Sequence, residues 1–169
     1  MNDMHRLAEA IKDIKFTMMS TVDEDGSIYS RPMATQLLDE KAFDGKIWFF
    51  TKRDSLKVHN IELDQHVNLA YSQPNDQKYV SVSGKAILSD DKELMKRLWN
   101  PMYRAWFPEG LNDPQILLIG VQVESAELWD SPPSKVVQLV GFVKAALTGE
   151  PYQSGSKSEH MTWNEKQVH

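Results

Sequence analysis

The chain has 169 residues, of which 41% are hydrophobic and 25% charged, and its formal net charge is −5. This length suits a single domain that buries a real core, whereas the net negative charge offers a nucleic acid or an acidic membrane no basic surface. The sequence contains no cysteine, which excludes disulfides, thiol redox chemistry and cysteine-ligated metals.

The N-terminal segment predicts a short amphipathic helix over about residues 4–14, because its apolar residues recur at helical spacing. The segment lacks a cationic stretch followed by an apolar run, so we expect no secretory signal. The longest strongly apolar run, residues 116–121, has the length of a strand and is far too short to cross a membrane. We therefore expect a cytoplasmic protein without membrane contact.

Strand signals follow this helix. The three predicted strands are residues 16–22, 27–38 and 46–51. Asp-Gly pairs that end at Gly26 and Gly45 precede the second and third strands, and this dipeptide favours a hairpin turn because glycine accepts a positive φ. We therefore predict an antiparallel meander of these three strands.

The middle of the chain predicts further strands joined by helices. One helix begins at Asp54 or Ser55, either of which is a good N-cap. Asp90, with Glu93 three residues later, resembles a capping box that opens another helix. Gly84 lies within a predicted strand and indicates a bulge or a close backbone approach. The remaining predicted elements are strands at 67–73, 79–88 and 115–129, the helix at 90–98 and a helical piece at 101–108.

The C-terminal part of the chain predicts a last helix and a tail. After Pro132-Pro133, apolar residues recur at helical spacing up to Gly149, which is a good helix terminator. Beyond it the composition is polar without periodicity, so we interpret residues 1–150 as one domain and residues 151–169 as a flexible tail. About six antiparallel strands, with helices only at crossings and ends, predict a mainly β fold in the form of a closed or split β-barrel.

The connection between the third predicted strand and the following helix is the most informative stretch for function. The strand ends at Thr51 and the helix begins near Ser55, so the first helical turn presents free N–H groups and a partial positive charge that suit a phosphate. Ser55 can donate a hydroxyl hydrogen bond, and Lys57 adds a full charge within the first turn. An N-cap serine followed by an exposed lysine explains the same residues without any ligand.

Arg31-Pro32-Met33 is the second unusual stretch. Pro32 cannot donate to a strand ladder, so it marks an edge or a bulge. By alternation Arg31 shares a face with Tyr29 and Met33, from which it can pair with a phosphate across the hairpin. A surface ion pair at the rim of the barrel is the alternative and, for this stretch alone, the commoner explanation.

Together these segments resemble the FMN-binding pattern of the pyridoxamine 5'-phosphate oxidase-like family. The pattern is Arg-Pro-Met on one strand, an aromatic-Thr-x-x-x-Ser-x-Lys unit on the next, and a Leu-Trp pair near the end of the last strand, here Leu128-Trp129. The resemblance covers residues 11–149, and within the family it is strongest to the general stress protein 26 group. The runs that carry this second resemblance are residues 30–33, 48–51, 81–86, 128–132 and 135–141.

The resemblance implies an FMN-binding split β-barrel whose homodimer holds FMN between its two subunits. It also implies that Arg31, Ser55 and Lys57 bind the FMN phosphate. The residues implied beside the ribityl chain and the isoalloxazine ring are Pro32, Met33, Ala34, Phe50 and Thr51. Trp129 is implied to contact the flavin from the other subunit, although a core or interface tryptophan explains this residue almost equally well without the resemblance.

The chain departs from the family's vitamin-forming enzymes at their substrate site. Those enzymes carry an Arg-x-His element shortly after the tryptophan, whereas residues 130–135 here contain neither arginine nor histidine. Tyr79 stands where they place a flavin-contacting glutamine. The flavin site therefore transfers to this chain but the substrate site does not, and no catalytic residue is identifiable.

Three functional hypotheses are consistent with these residues. The first is an FMN-dependent oxidoreductase acting on a small molecule; the second is a flavin-binding sensor or reservoir without turnover; the third is a split barrel that holds deazaflavin F420 or, last in rank, haem. The histidines lack metal-ligand spacing, so no metal site is expected. Tyr103, Trp106 and Phe107 can wall a pocket, although packing beneath the barrel is the commoner explanation of such a cluster.

Overall fold

The computed structural model describes residues 3–36, 43–130, 146–149 and 157–163, which form one antiparallel sheet with peripheral helices. The strands are β1 Phe16–Val22, β2 Ile28–Ala34, β3 Lys46–Lys52, β4 His66–Gln73, β5 Lys78–Ser89, β6 Ile116–Asp130 and β7 Lys157–Thr162. The longer helices are α1 Asp3–Ile11, α2 Leu56–Leu63 and α3 Lys92–Leu98. Short 3-10 helices cover Pro74–Asp76, Pro101–Ala105 and Gly110–Asn112.

The sheet order is β2-β1-β4-β5-β6-β3, and β7 also pairs with β6. The predicted meander of the first three strands is therefore wrong at its third member, because β3 pairs with residues 116–122 of β6 instead of with β2. β7 pairs with residues 125–130 of β6. β3 and β7 therefore pair with successive parts of β6. β6 is 15 residues long, which lets it pair with β5 as well as with both of these strands.

The sheet curls around a core that α1 covers. Leu7 and Ile11 of α1 pack against inward-facing residues of the strands, among them Met19, Leu69 and Val82. A second cluster lies beneath the first half of β6 and consists of Met95, Phe107, Ile116 and Leu118. Two apolar layers on one curled sheet confirm the predicted mainly β fold with flanking helices.

Two local predictions can be compared with the backbone. At Gly84 the pairing of β5 with β6 shifts register, and a Cβ there would lie 2.1 Å from the carbonyl oxygen of Gln122, so both the bulge and the close approach are confirmed. The capping box at Asp90 is wrong by one residue. Asp91 caps α3 by accepting hydrogen bonds from the backbone N–H groups of Glu93 and Leu94, while Asp90 pairs with Arg53.

The predicted flexible tail is wrong for residues 157–162, which form β7. The strand hydrogen-bonds to the edge of β6, its Glu159 pairs with Arg6, and its Met161 is only 4% exposed. A single buried methionine among polar residues leaves no apolar alternation, so the sequence gives no strand signal here. The helix predicted after Pro132-Pro133 falls largely outside the described residues, although residues 146–148 are helical and Gly149 follows them with a φ of 69°. Within the part of the chain that the structure describes, no helix is long and apolar enough to cross a membrane.

Candidate functional site

A cavity of about 400 Å³ lies between the ends of β2 and β3, the start of α2 and the 3-10 helix Pro101–Ala105. Seven of the nine predicted binding residues line it, namely Pro32, Met33, Ala34, Phe50, Thr51, Ser55 and Lys57. The other lining residues are Lys15, Phe16, Gln36, Lys52, Asp54, Asn100, Met102, Tyr103, Trp106 and Phe107. The cavity therefore combines an apolar and aromatic wall with the polar start of a helix.

The start of α2 is open towards a ligand. Ser55 occupies the N-cap position in an extended conformation, with φ −85° and ψ 149°, but its side chain makes no capping hydrogen bond. Its hydroxyl oxygen lies 3.4 Å from the hydroxyl oxygen of Thr51, and the first turn of α2 contains no acidic residue. The first N–H groups of a helix have no partner within the helix, so Ser55 and this turn can together donate to an anion.

The loop before α2 is fixed by contacts with the start of β6. The backbone N–H of Arg53 donates to the carbonyl of Gln115 at 2.8 Å, and that of Asp54 donates to the side-chain oxygen of Gln115 at 3.2 Å. Arg53 also pairs with Asp90, which raises the pKa of the arginine. These contacts hold the start of α2 in place beside the cavity.

Arg31 reaches the same region from β2. It lies opposite Met19 of β1, which is fully buried, so its side chain is on the inner face of the sheet. It shares this face with the buried Met33, as alternation predicted. Its Nη1 donates to Thr21 Oγ1 at 2.7 Å and to the carbonyl of Met19 at 3.2 Å. Burial lowers the pKa of Arg31.

Lys57 and Arg31 are close enough to repel each other. Burial lowers the pKa of Lys57, and the positive charge of Arg31 lowers it further. Two half-buried positive charges that repel each other raise the energy of the free protein, and a nearby anion would relieve that cost. Ser55 and Lys57 line the cavity, whereas Arg31 does not line it and reaches this region through the effect of its charge on Lys57. The role of these three residues in binding stays a prediction.

An aromatic cluster forms the opposite side of the cavity. The ring of Phe50 packs on Trp99 and Tyr103, with centroids 5.8 and 5.2 Å apart. Trp106 and Phe107 both line the cavity. Phe107 is buried, as packing beneath the barrel requires, whereas Trp106 is 60% exposed. The cluster therefore serves both purposes that its sequence suggested.

Gln36 is a lining residue that the sequence did not reveal. Its side-chain oxygen accepts a hydrogen bond from the Tyr103 hydroxyl at 2.9 Å, and its side-chain nitrogen donates to the carbonyl of Ala34 at 3.1 Å. The partners are 67 residues apart in one case and two in the other. A lone glutamine in a predicted strand carries no signal for such a contact.

Trp129 is not among the residues that line this cavity. It is half-buried near the end of β6, between Tyr79 of β5 and Ser158 of β7. Neither of these two strand partners of Trp129 lines the cavity. Its predicted contact with the flavin therefore depends on a second subunit. Within the described residues no three histidine, aspartate or glutamate side chains converge on a possible metal position.

The curled antiparallel half-barrel is a split barrel of the kind found in pyridoxamine 5'-phosphate oxidases. A protein from Clostridium acetobutylicum related to general stress protein 26 (pyridoxinephosphate oxidase family) has this fold, with a TM-score of 0.68 over 98% of this chain and 96% of its own at 15% identity. The chain belongs to the family described as pyridoxamine 5'-phosphate oxidase like, whose model matches residues 2–153.

The relatives confirm the resemblance to general stress proteins. Protein bli-3 of Neurospora crassa is 29% identical over 146 residues, which are 81% of this chain and 69% of that protein. General stress protein 26 of Bacillus subtilis is 27% identical over 92 residues, 53% of this chain and 65% of its own length. The general stress FMN/FAD binding protein of Xanthomonas citri has a TM-score of 0.66 at 29% identity, over 78% of this chain and 90% of that one.

Proposed function

We propose that this chain is a homodimeric flavoprotein that binds FMN in the described cavity and acts as a flavin-dependent oxidoreductase on a small molecule. The observation that carries the proposal is the uncapped start of α2 at the edge of an aromatic-walled cavity, with Lys57 in its first turn, where the charge of Arg31 acts on it. When bound, the flavin would supply the redox chemistry, while the protein binds and orients it.

The polar end of the cavity fits a phosphate. A phosphate dianion loses hydration when it binds, and cations and N–H or O–H donors must compensate for that loss. Arg31 and Lys57 provide two charges, and Ser55 provides a hydroxyl that α2 does not use for capping. Asp54 is the one acidic residue that the described cavity lining contains, and its side chain is exposed to solvent. Riboflavin, which lacks the phosphate, would forgo all these contacts.

The apolar end fits a flat ring. Met33 and Phe107 are buried, and Pro32 and Phe50 add rigid apolar surface to the lining. The volume of about 400 Å³ lies within the range of small-molecule sites, in which mostly apolar walls surround a few oriented polar groups. An isoalloxazine ring has the same combination of a flat apolar body and polar edges.

The outer face of the sheet supports a homodimer. On β1 this face carries Phe16 and Met18, which are 58% and 42% exposed, and Phe16 also lines the cavity. The strand registers place Tyr79 and Trp129 on the same face at the far side of the sheet. A two-fold axis through this face would place β1 of one subunit opposite the Tyr79 and Trp129 side of the other subunit. Trp129 of the partner subunit would then approach the cavity that Phe16 borders.

The direct test is to purify the protein, record its visible spectrum and titrate the apoprotein with FMN while following flavin fluorescence. We expect a yellow protein or saturable quenching at one FMN per chain, and a dimer by light scattering. A colourless protein that leaves FMN fluorescence unchanged would contradict the proposal. Parallel titrations with FAD and F420 would separate FMN from these cofactors. A cytoplasmic location stays a prediction.

A flavin sensor or reservoir without turnover is the second candidate. It is favoured by residues 130–135, which lack the arginine and histidine that hold the substrate in the family's vitamin-forming enzymes. The two candidates differ in their response to NADH or NADPH. Reduction of bound FMN followed by reoxidation by an acceptor, both faster than for free FMN, would support the oxidoreductase and exclude the reservoir.

A further inference from the structure

Two fully buried polar side chains, Thr21 and Asn60, are linked to Arg31 by hydrogen bonds. Thr21 is on β1 and Asn60 is on α2, three residues after Lys57. The hydroxyl oxygen of Thr21 accepts from Arg31 Nη1 at 2.7 Å and from Asn60 Nδ2 at 3.1 Å. One hydroxyl group therefore links the guanidinium of β2 to the helix whose first turn carries Lys57.

This link is costly for the folded state. Asn60 is 0% exposed, and its side-chain oxygen has no hydrogen-bond partner among the described residues. An unsatisfied buried carbonyl oxygen loses its hydration without compensation, whereas a leucine at the same position would lose nothing comparable. A buried polar group that folding alone does not favour calls for another explanation, and a functional site is where such groups are found.

The repulsion between Arg31 and Lys57 supplies that explanation. Without an anion, the repulsion between the two positive charges favours movement of the Arg31 side chain away from Lys57. The hydrogen bonds from Arg31 to Thr21 and to the carbonyl of Met19 oppose this movement. A guanidinium held in advance loses less entropy when it binds a ligand.

We propose that Thr21 and Asn60 are positioning residues, which hold Arg31 beside Lys57 and thereby make the cavity selective for a phosphorylated flavin over riboflavin. The inference rests on the proposed function. It concerns the difference between two ligands that share one ring system, so a general loosening of the fold would not reproduce it.

The test measures dissociation constants of FMN and riboflavin by fluorescence titration for the wild type and four variants. We expect Thr21→Val to weaken FMN binding about tenfold, the scale of one charge-assisted hydrogen bond, and to leave riboflavin binding unchanged. Thr21→Ser keeps the hydroxyl and should restore FMN binding. Asn60→Leu should weaken FMN binding by about two- to fivefold, with a melting temperature of the free protein no lower than that of the wild type.

Thr17→Val is the matched control, because Thr17 is also buried and inward-facing on β1 but makes no hydrogen bond to Arg31 among the described contacts. It should leave both dissociation constants unchanged. Equal weakening of FMN and riboflavin by Thr21→Val, or no effect of either Thr21→Val or Asn60→Leu on FMN, would overturn the inference while the flavin site stands. A wild type that binds neither ligand would overturn the inference and the proposed function together.

Discussion

Helices α2 and α3 begin with different chemistry, although each follows a strand and each has a lysine in its first turn. At α3 the carboxylate of Asp91 accepts from the N–H groups of Glu93 and Leu94 at 3.0 and 3.1 Å, and Glu93 adds a negative charge where the helix dipole favours one. At α2 the Ser55 side chain makes no capping bond, and the first turn contains no acid. Where a side chain caps the first N–H groups of a helix, the cap stabilises the fold. Where no side chain caps them and a cavity lies beside them, these N–H groups can bind a ligand.

Two cations near these helix starts differ in the same way. Arg53, which lies in the loop before α2, pairs with Asp90 beside the N-cap of α3, and this partner raises the pKa of Arg53. Lys57 at α2 has a lowered pKa because burial and the charge of Arg31 both oppose its protonation. An ion pair on an exposed surface contributes little to stability, but two like charges held together are a specific preparation for an anion.

The largest expected effect comes from removing the α2 cation. Lys57→Met should weaken FMN binding by about 1.5–3 kcal/mol, the scale of a hydrogen bond to a charged group, and leave riboflavin binding unchanged. The same substitution should not lower the melting temperature of the free protein, because it removes a charge that burial and Arg31 disfavour. Lys92→Met, in the first turn of α3, is the matched control and should not change FMN binding. An unchanged dissociation constant for Lys57→Met would mean that the phosphate binds elsewhere.

The second effect tests the α3 side of the comparison. Asp91→Ala removes the side-chain cap of α3 and should lower the free energy of unfolding by about 1 kcal/mol, as measured by urea denaturation. FMN affinity should stay at the wild-type value, since Asp91 is not among the cavity-lining residues. A fall in FMN affinity as large as the loss of stability would mean that the start of α3 also affects flavin binding, contrary to the contrast drawn between the two helices.

Ser55→Ala is the reciprocal experiment and should have a smaller effect. It should weaken FMN binding by about 0.5–1.5 kcal/mol, the net contribution of one hydrogen bond. The free energy of unfolding of the apoprotein should change little, because this hydroxyl does not cap α2. A destabilised apoprotein with normal FMN binding would show that Ser55 is an ordinary N-cap.

The smallest effect is on the pH dependence of binding. The pKa of Lys57 in the free protein lies below its usual 10.5, so this lysine loses its charge at a lower pH than an ordinary lysine. A bound phosphate favours the protonated form, and FMN affinity should therefore decline as the pH rises through the lowered pKa. In that pH range, binding should be accompanied by proton uptake. Calorimetry in buffers of different ionisation enthalpy measures that uptake. Lys57→Met should abolish it, and a persistent uptake would assign it to another group.

Local sequence patterns predicted most of the strands and the turn at which the candidate site lies. The helix start at Ser55 and the bulge at Gly84 follow from residues within a few positions of one another, so they can be recognised from the sequence. The pairing of β3 with β6 joins residues about 70 positions apart, and no local signal selects that partner over β2. Alternation shows that a strand forms but not which edge it joins.

Contacts between distant elements also explain why the sequence did not predict the roles of Gln36, Thr21 and Asn60. Gln36 lines the cavity because Tyr103 folds back onto it, and the Thr21–Asn60 contact joins a strand to a helix 39 residues later. In the sequence each of these is an isolated polar residue. Outside the site, Met161 is an isolated apolar residue in the sequence, and it is buried where β7 pairs with the edge of β6. Functional contacts between distant elements thus depend on the topology that the local patterns left open.

A crystal structure of the protein with FMN would show whether the start of α2 holds the flavin phosphate. We expect the phosphate there, within hydrogen-bond distance of Ser55 Oγ and Lys57 Nζ and paired with the Arg31 guanidinium. A flavin phosphate bound at any other surface, with the first turn of α2 in contact only with water, would contradict this expectation.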